Sequence, residues 1–438
     1  MVSKTKKRAQ FAWVMYDWAN SAFVTTITAA VLPVYFSSVA AVNLPANLRT
    51  AYWGYTSTIA LLLVALAGPV LGAMADFSGA KKKFLTYFAL LGIFGASLLF
   101  LVKEGNWMMA SIFYILGNVG FSGANVFYDS LLPHVAEEDE RDQLSSKGYA
   151  FGYLGGGILL AVNLAMIMTA PDSEAAALMS RLSFLMVGAW WLIFTIPLWR
   201  WIKEPVRRIL KGEEKFNPIQ ASFNRLANTF GKIRKYKELF KFIIAFWLYN
   251  NGIGTIITMA TIYGTELEFS STTTIGTLLM VQFVGIPFSF LFGWLGKKIG
   301  TKKSILISLG VYAAIAIGGY FMVKELHFWI LGFAVATVQG GSQALSRSLF
   351  SRMLPKSQSA EFYSFFSVSQ KVAGSFGPFL FGVVSTVMGG SRLAIVSLII
   401  FFIVGGYLLT KVDENEGMCV AKEEEEGLVL ATVSEGES

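Results

Sequence analysis

Twelve stretches of this sequence are each long and apolar enough to cross a lipid bilayer: about 11–42, 51–75, 84–102, 107–132, 148–170, 182–202, 242–265, 273–296, 304–323, 329–350, 362–388 and 393–410. A helix needs roughly 20 such residues to span the hydrocarbon. Within it, every backbone N–H and C=O must be satisfied inside the segment, so these runs are predicted to be helices. The expected fold is therefore an all-α integral membrane protein. Composition agrees: 54% of the 438 residues are hydrophobic and 15% are charged, against about 25% charged in a soluble domain.

Lysines and arginines set the expected orientation. With a cytoplasmic N-terminus, 29 of the 36 fall in inside segments and 5 in outside ones; Arg347 and Lys371 lie within spans. That imbalance puts both termini in the cytoplasm of a multi-pass protein of the cell's inner membrane. The net charge of +8 does not indicate nucleic acid, because the basic residues fall between apolar runs. The basic start, "MVSKTKKRAQ", precedes an apolar run that reaches about Val42, longer than a signal peptide's. It reads as a retained first span. The single cysteine, Cys419, can form neither an internal disulfide nor a metal site.

The domain expectation is a first six-helix bundle over 1–202, a cytoplasmic linker over 203–241, a second bundle over 242–411 and an acidic tail over 412–438. In the linker, Asn217 can cap a helix with Pro218 at its first position. Ile219, Phe223, Leu226, Phe230 and Ile233 then recur at helical spacing among basic residues. This segment is expected either to lie as an amphipathic helix on the membrane surface or to act as a plain tether. The tail contains Glu423 to Glu426 and no apolar periodicity, and is expected to be disordered.

The two halves repeat. Gly72, Gly79, Lys81 and Lys82 recur as Gly293, Gly300, Lys302 and Lys303, all at an offset of 221. Pro133 and Pro355, Gly152 and Gly374, and Gly155 and Gly377 follow at 222, while Tyr16-Asp17 faces Tyr249-Asn250 at 233. Two six-span halves joined by a basic loop resemble the major facilitator fold, two pseudo-symmetric six-helix bundles. Its gating-turn signature is matched by Gly72, Asp76, Gly79, Lys81 and Lys82, although Phe77 stands where a basic residue is frequent and Lys297 replaces the aspartate in the second copy.

Four further stretches narrow the resemblance: "YDWANSAF" (Tyr16 to Phe23), "FYDSLLPHVA" (Phe127 to Ala136), "SSKGYAFGYLGGG" (Ser145 to Gly157) and "FWLYNNGIGTI" (Phe246 to Ile256). With them the chain resembles the branch named after autophagy-linked vacuolar amino-acid effluxers, which also holds bacterial permeases. The resemblance implies efflux or exchange of amino acids or similar small solutes. It also implies a central cavity lined by spans one, four, seven and ten.

Polar stripes fall on those four spans. They comprise Asp17, Asn20, Ser21, Thr25 and Thr28; Asn118, Ser122, Asn125 and Asp129; Asn250, Gly254, Thr258 and Thr261; and Gln339, Gln343 and Arg347. Asn20, Ser21, Thr25, Thr28, Asn125, Asn250, Thr258, Gln282, Gln339 and Gln343 are the candidate cavity residues, with Asn163 also at midplane. Charges inside spans are costly and face an interior or a water-filled path. Asp17, Asp129, Arg347 and Lys371 are the four, acids in the first half and bases in the second. Asp17 lies roughly 9 Å from the start of its helix at 1.5 Å per residue, nearer a cytoplasmic gate than a midplane ligand. The four are the candidates for gating or proton coupling. Alternatives stay open: Asp129 as a static partner of Lys81 to Lys83 or Arg141, Arg347 reaching lipid phosphates or anchoring a substrate carboxylate, and Lys371 bonding between helices.

The expected function is a secondary active transporter for a small polar solute, an amino acid or similar zwitterion, with a channel or uncoupled facilitator as the alternative. The expected partners are that solute and the lipid bilayer, with the protein acting as a monomer. No cofactor or metal is expected. His134 and His327 fall at opposite membrane faces and no catalytic motif occurs, so the chain is not expected to be an enzyme.

Overall fold

The computed structural model describes residues 4–206, 235–373, 376–388 and 391–433, and every regular element among them is helical. The first half contributes α1 (Lys4–Ala40), α2 (Ala46–Ser78), α3 (Lys81–Leu101), α4 (Trp107–Val135), α5 (Arg141–Met168) and α6 (Ser173–Trp201). The second contributes α7 (Lys237–Glu266), α8 (Ser271–Ile299), α9 (Thr301–Tyr320) and α10 (Glu325–Arg352). It continues with α11 (Ser359–Ala373), α12 (Phe376–Met388) and α13 (Arg392–Thr410). Among the described residues, nine helices are apolar enough along a full crossing length: α1, α3 to α9 and α13. The other apolar runs carry α2, α10 and the pair α11 and α12. The polar stripe of α10 dilutes its apolar character. The proposed amphipathic helix from Asn217 to Ile233 lies outside the described residues.

Buried side chains gather into two clusters. One draws on α1 to α6 around Trp13, Phe23, Phe127 and Trp191; the other draws on α7 to α13 around Phe246, Tyr312, Phe350 and Phe402. The surface is apolar as well. Ile112, Ile193, Ile400 and Ile403 are each at least half exposed, a disposition suited to lipid and not to water. Without a hydrophobic drive between helices in lipid, close packing must hold them, and small residues allow it. A Cβ at Gly95 would stand 2.7 Å from the Cα of Gly117, so the backbones of α3 and α4 touch there.

Across the halves, α2 packs along α11 and α5 along α8. The loops at one end of the molecule carry most of the basic residues; that end is called the basic face below.

The tail departs from expectation. It forms a helix, α14 (Glu414–Val433), where disorder was predicted. The Oδ1 atom of Asp413 accepts from the amides of Asn415 and Glu416, capping its start. Its acids also find cations: Glu416 pairs with Lys237 at 2.8 Å and Glu424 with Lys235. Glu425 accepts from the amide and hydroxyl of Ser357. Composition alone could not foresee partners brought from distant loops.

Cys419 sits exposed on α14, which makes it a probe of orientation. A membrane-impermeant maleimide should modify it in inside-out vesicles and spare it in intact cells. Labelling of intact cells would reverse the expected topology.

Candidate functional site

The site begins with how α1 is seated. Gly148, Gly152, Gly155 and Gly156 form one edge of α5, and α1 lies against it. A Cβ at Gly152 would stand 2.6 Å from Ser21 Oγ, and one at Gly155 would stand 2.5 Å from the carbonyl of Trp18. At Gly148 it would strike the carboxylate of Asp17. The glycine run on span five therefore brings the polar stripe of span one inward. From Phe23 to Val31 the helix loosens to π winding, which is found frequently at functional sites. Residues beyond this point no longer follow the 3.6-residue stripe.

A cavity of about 460 Å³ lies between the halves. Asn20, Ser21, Thr25, Asn125, Asn250, Gln282, Gln339 and Gln343 line it, as do Asp17, Asp129 and Arg347. Two expected members are displaced. Thr28 sits within the π-wound segment, one turn beyond Thr25, and lies off the cavity. Thr258 is exposed and its hydroxyl donates to its own helix at Gly254, 2.9 Å away. Asn163 is also off the cavity and donates to Thr26 Oγ1 at 3.3 Å. Asn20 Nδ2 donates to Asn125 Oδ1 at 2.6 Å, so spans one and four meet through their amides.

At the cavity's end toward the basic face, Arg347 of α10 reaches across to two acids of the other half. Its guanidinium lies 3.3 Å from Asp17 Oδ2 and 3.2 Å from Asp129 Oδ1. The Nε of Arg347 donates to Ser145 Oγ at 2.8 Å, and Nη2 donates to the Ser145 carbonyl at 2.9 Å. Tyr128 donates to Asp17 Oδ2 at 2.7 Å. The rings of Trp13, Tyr149 and Tyr128 flank the guanidinium at 4.7, 4.6 and 5.6 Å, an arrangement favourable to a cation. Arg347 thus neither reaches lipid phosphate nor faces a substrate carboxylate with free donors. Asp129 pairs with Arg347 and not with Lys81 to Lys83 or Arg141 in the described contacts. Lys371 belongs to α11, and its side chain lies outside the described residues.

Below this cluster the halves are locked at the basic face. Gly79 ends α2 with a φ of 64°, a left-handed conformation that glycine adopts readily. A Cβ at Gly72 would stand 2.6 Å from the Ala360 carbonyl, so α2 closely approaches α11. Asp76 accepts the amides of Ala360 and Glu361 at 3.2 and 2.8 Å, where α11 begins. A carboxylate at a helix N-terminus is stabilised by the helix dipole. Lys81 pairs with Asp76 at 2.7 Å and donates to Ser359 Oγ at 2.7 Å. Lys82 instead donates to the carbonyls of Trp199 and Ile202 and ties α3 to the end of α6.

The repeat has its own version. Asp142 on α5 pairs with Arg352 at 2.8 Å and accepts from Thr301 at 2.8 Å. The second turn lacks an aspartate of its own, and α5 supplies one. Arg141 donates to the Ser351 carbonyl and Ser145 to that of Ala344, adding two further links.

Sequence reasoning missed the tyrosines 128, 149 and 153 among the cavity residues and Asp142 and Ser145 among the contacts across the halves. Tyrosines read as apolar packing within a span. Asp142 and Ser145 sit at the start of α5, where charge looks like an ordinary helix end.

Comparison with known proteins places this geometry. Residues 46–422 match the family model described as "Vacuole effluxer Atg22 like". The chain is 39% identical over 419 residues to the uncharacterized MFS-type transporter YxiO of Bacillus subtilis, covering 94% of this chain and 96% of that one. It is 23% identical to autophagy-related protein 22 of Coccidioides immitis, covering 85% and 74%. Among solved structures it resembles the proton:xylose symporter XylE, with a TM-score of 0.69, 14% identity and coverage of 94% and 96%. The transporter FucP in the outward conformation gives a TM-score of 0.69 and 14% identity, covering 94% and 100%.

Removing Arg347 should be the most damaging change at this site. Arg347→Gln leaves two half-buried carboxylates without their cation and should cost up to about 3–5 kcal/mol, the figure for a fully buried pair, read as a lower melting temperature of the purified protein. Adding Asp17→Asn and Asp129→Asn to that variant should recover most of the loss. A triple variant no more stable than the single one would contradict the pairing.

Proposed function

The chain belongs to the Atg22-like family of major facilitator transporters, and from that premise we propose a carrier that works by alternating access on a small polar solute, an amino acid or similar zwitterion. The observation that carries this reading is the cluster of Asp17 and Asp129 with Arg347. Acids from one half and a base from the other meet at the end of a cavity lined by amides and hydroxyls. A volume of about 460 Å³ falls within the range of small-ligand sites, roughly 300–1,000 Å³.

With the basic face cytoplasmic, the cluster, the Asp76 link and the Asp142 link together close the inner side. The conformation then corresponds to a carrier awaiting solute from outside or from a vesicle lumen. Opening inward must part Arg347 from both acids. A proton on Asp17 or Asp129 weakens those attachments, which gives a route to proton coupling. Gly72, Asp76, Gly79, Lys81 and Lys82 act in this reading as the releasable turn. The carrier sits in the cell's inner membrane as a monomer, with both termini cytoplasmic.

The competing reading is a channel or uncoupled facilitator. The locked face favours a carrier, because a pore needs both ends open together. In proteoliposomes, a carrier shows saturable counterflow of a labelled amino acid; single-channel currents without counterflow would retire it. A thermal-shift screen against amino acids, nucleosides and small peptides selects the solute, because a ligand raises apparent stability. Asp17→Asn protein should lose accumulation driven by a proton gradient while retaining counterflow. Gradient-driven accumulation at the wild-type level would remove Asp17 from coupling.

A further inference from the structure

A guanidinium has five N–H donors, and every donor of Arg347 is directed at a protein acceptor. Nε donates to Ser145 Oγ; Nη1 faces Asp17 and Asp129; Nη2 faces Asp17 and the Ser145 carbonyl. The arginine side chain is 5% exposed. It has no donor left to grip a substrate carboxylate. Among the described residues lining the cavity, it is also the only base, set against two acids.

Asp129 differs. Its side chain is 23% exposed, and Arg347 engages its Oδ1. Its Oδ2 has no hydrogen-bonding or ionic partner among the described residues. The amides of Asn20 and Asn125, bonded to each other, and the ring of Phe121 line the same cavity. Carboxylate oxygen, amide oxygens and an aromatic wall are the components that stabilise a desolvated cation.

We propose that the cavity recognises its substrate through an ammonium group held at Asp129, and that a carboxylate on the substrate is dispensable. This rests on the carrier reading of the same cavity and names what that carrier selects. The ammonium and Arg347 compete for one carboxylate. Loading therefore draws Asp129 away from the opposite half and loosens the closed face, so the binding of the right solute favours opening.

A second, apolar lobe of about 110 Å³ adjoins the cavity, sharing Ile257, Gln282 and Gln339 with it; Ile256, Leu278, Val281 and Leu331 are among its walls. It guides the choice of a branched aliphatic probe. Binding to the purified full-length protein is measured for leucine, leucine methyl ester, 3-methylbutylamine, N-acetyl-leucine and 4-methylpentanoate. The first three keep the ammonium and should bind within about tenfold of one another. The last two lack it and should bind weaker by roughly 10- to 100-fold, the range expected for losing a hydrogen bond to a charged group. Asp129→Asn should weaken leucine by a similar factor; its melting temperature reports whether it folds, and the wild-type series does not depend on it.

Tight binding of the two acids with loss of the amine and ester overturns the proposal. Binding of none of the five overturns it as well. In either case, counterflow of another solute leaves the carrier reading intact. Binding of the amine without leucine upholds ammonium recognition and retires the amino-acid reading.

Discussion

One buried arginine joins the two halves of this protein. Arg347 belongs to the second half, yet the described groups that neutralise and hydrogen-bond its head come from the first: Asp17, Asp129 and Ser145. Burying charge is costly unless it is paired and hydrogen-bonded. Neither half can keep its share of this cluster buried alone. The halves are therefore held together by a need to neutralise one another, and any separation at this level requires another way to satisfy these charges.

Around that cluster the two repeats solve the same problem with exchanged parts. In one, Asp76 on the turn reaches the first amides of α11. In the other, Asp142 at the start of α5 reaches Thr301 and Arg352. Each link joins a turn of one half to a helix start of the other. Both are nearly dry, since the Asp76 and Asp142 side chains are 0% and 2% exposed. Salt screens such pairs far less than it screens exposed ones.

Much of this was legible in the sequence because hydrocarbon enforces its rules strictly. Spans must be helical and apolar, so Asp17, Asp129 and Arg347 stand out as exceptions that need partners. The structure joins those three. Asn20, Ser21 and Thr25 line the cavity, whereas Thr28, farther along the π-wound segment that begins at Phe23, does not. The tyrosines around Arg347 carried no signal, since an aromatic ring in a span reads as packing. The tail helix escaped because its polar partners, Lys235, Lys237 and Ser357, are remote in the chain. Long-range charge complementarity has no period to detect.

Gly148 has a consequence of a different kind. It contributes no charge, no hydrogen bond from a side chain and no wall to the cavity. Yet its missing Cβ is the space that the Asp17 carboxylate occupies, and the Arg347 guanidinium lies 3.0 Å from where that atom would be. Every other amino acid would have to displace the carboxylate first. Mutational tolerance at this position is thus set by the acid on a neighbouring helix. In a survey of single substitutions, a glycine that touches no solute would behave like part of the transport machinery.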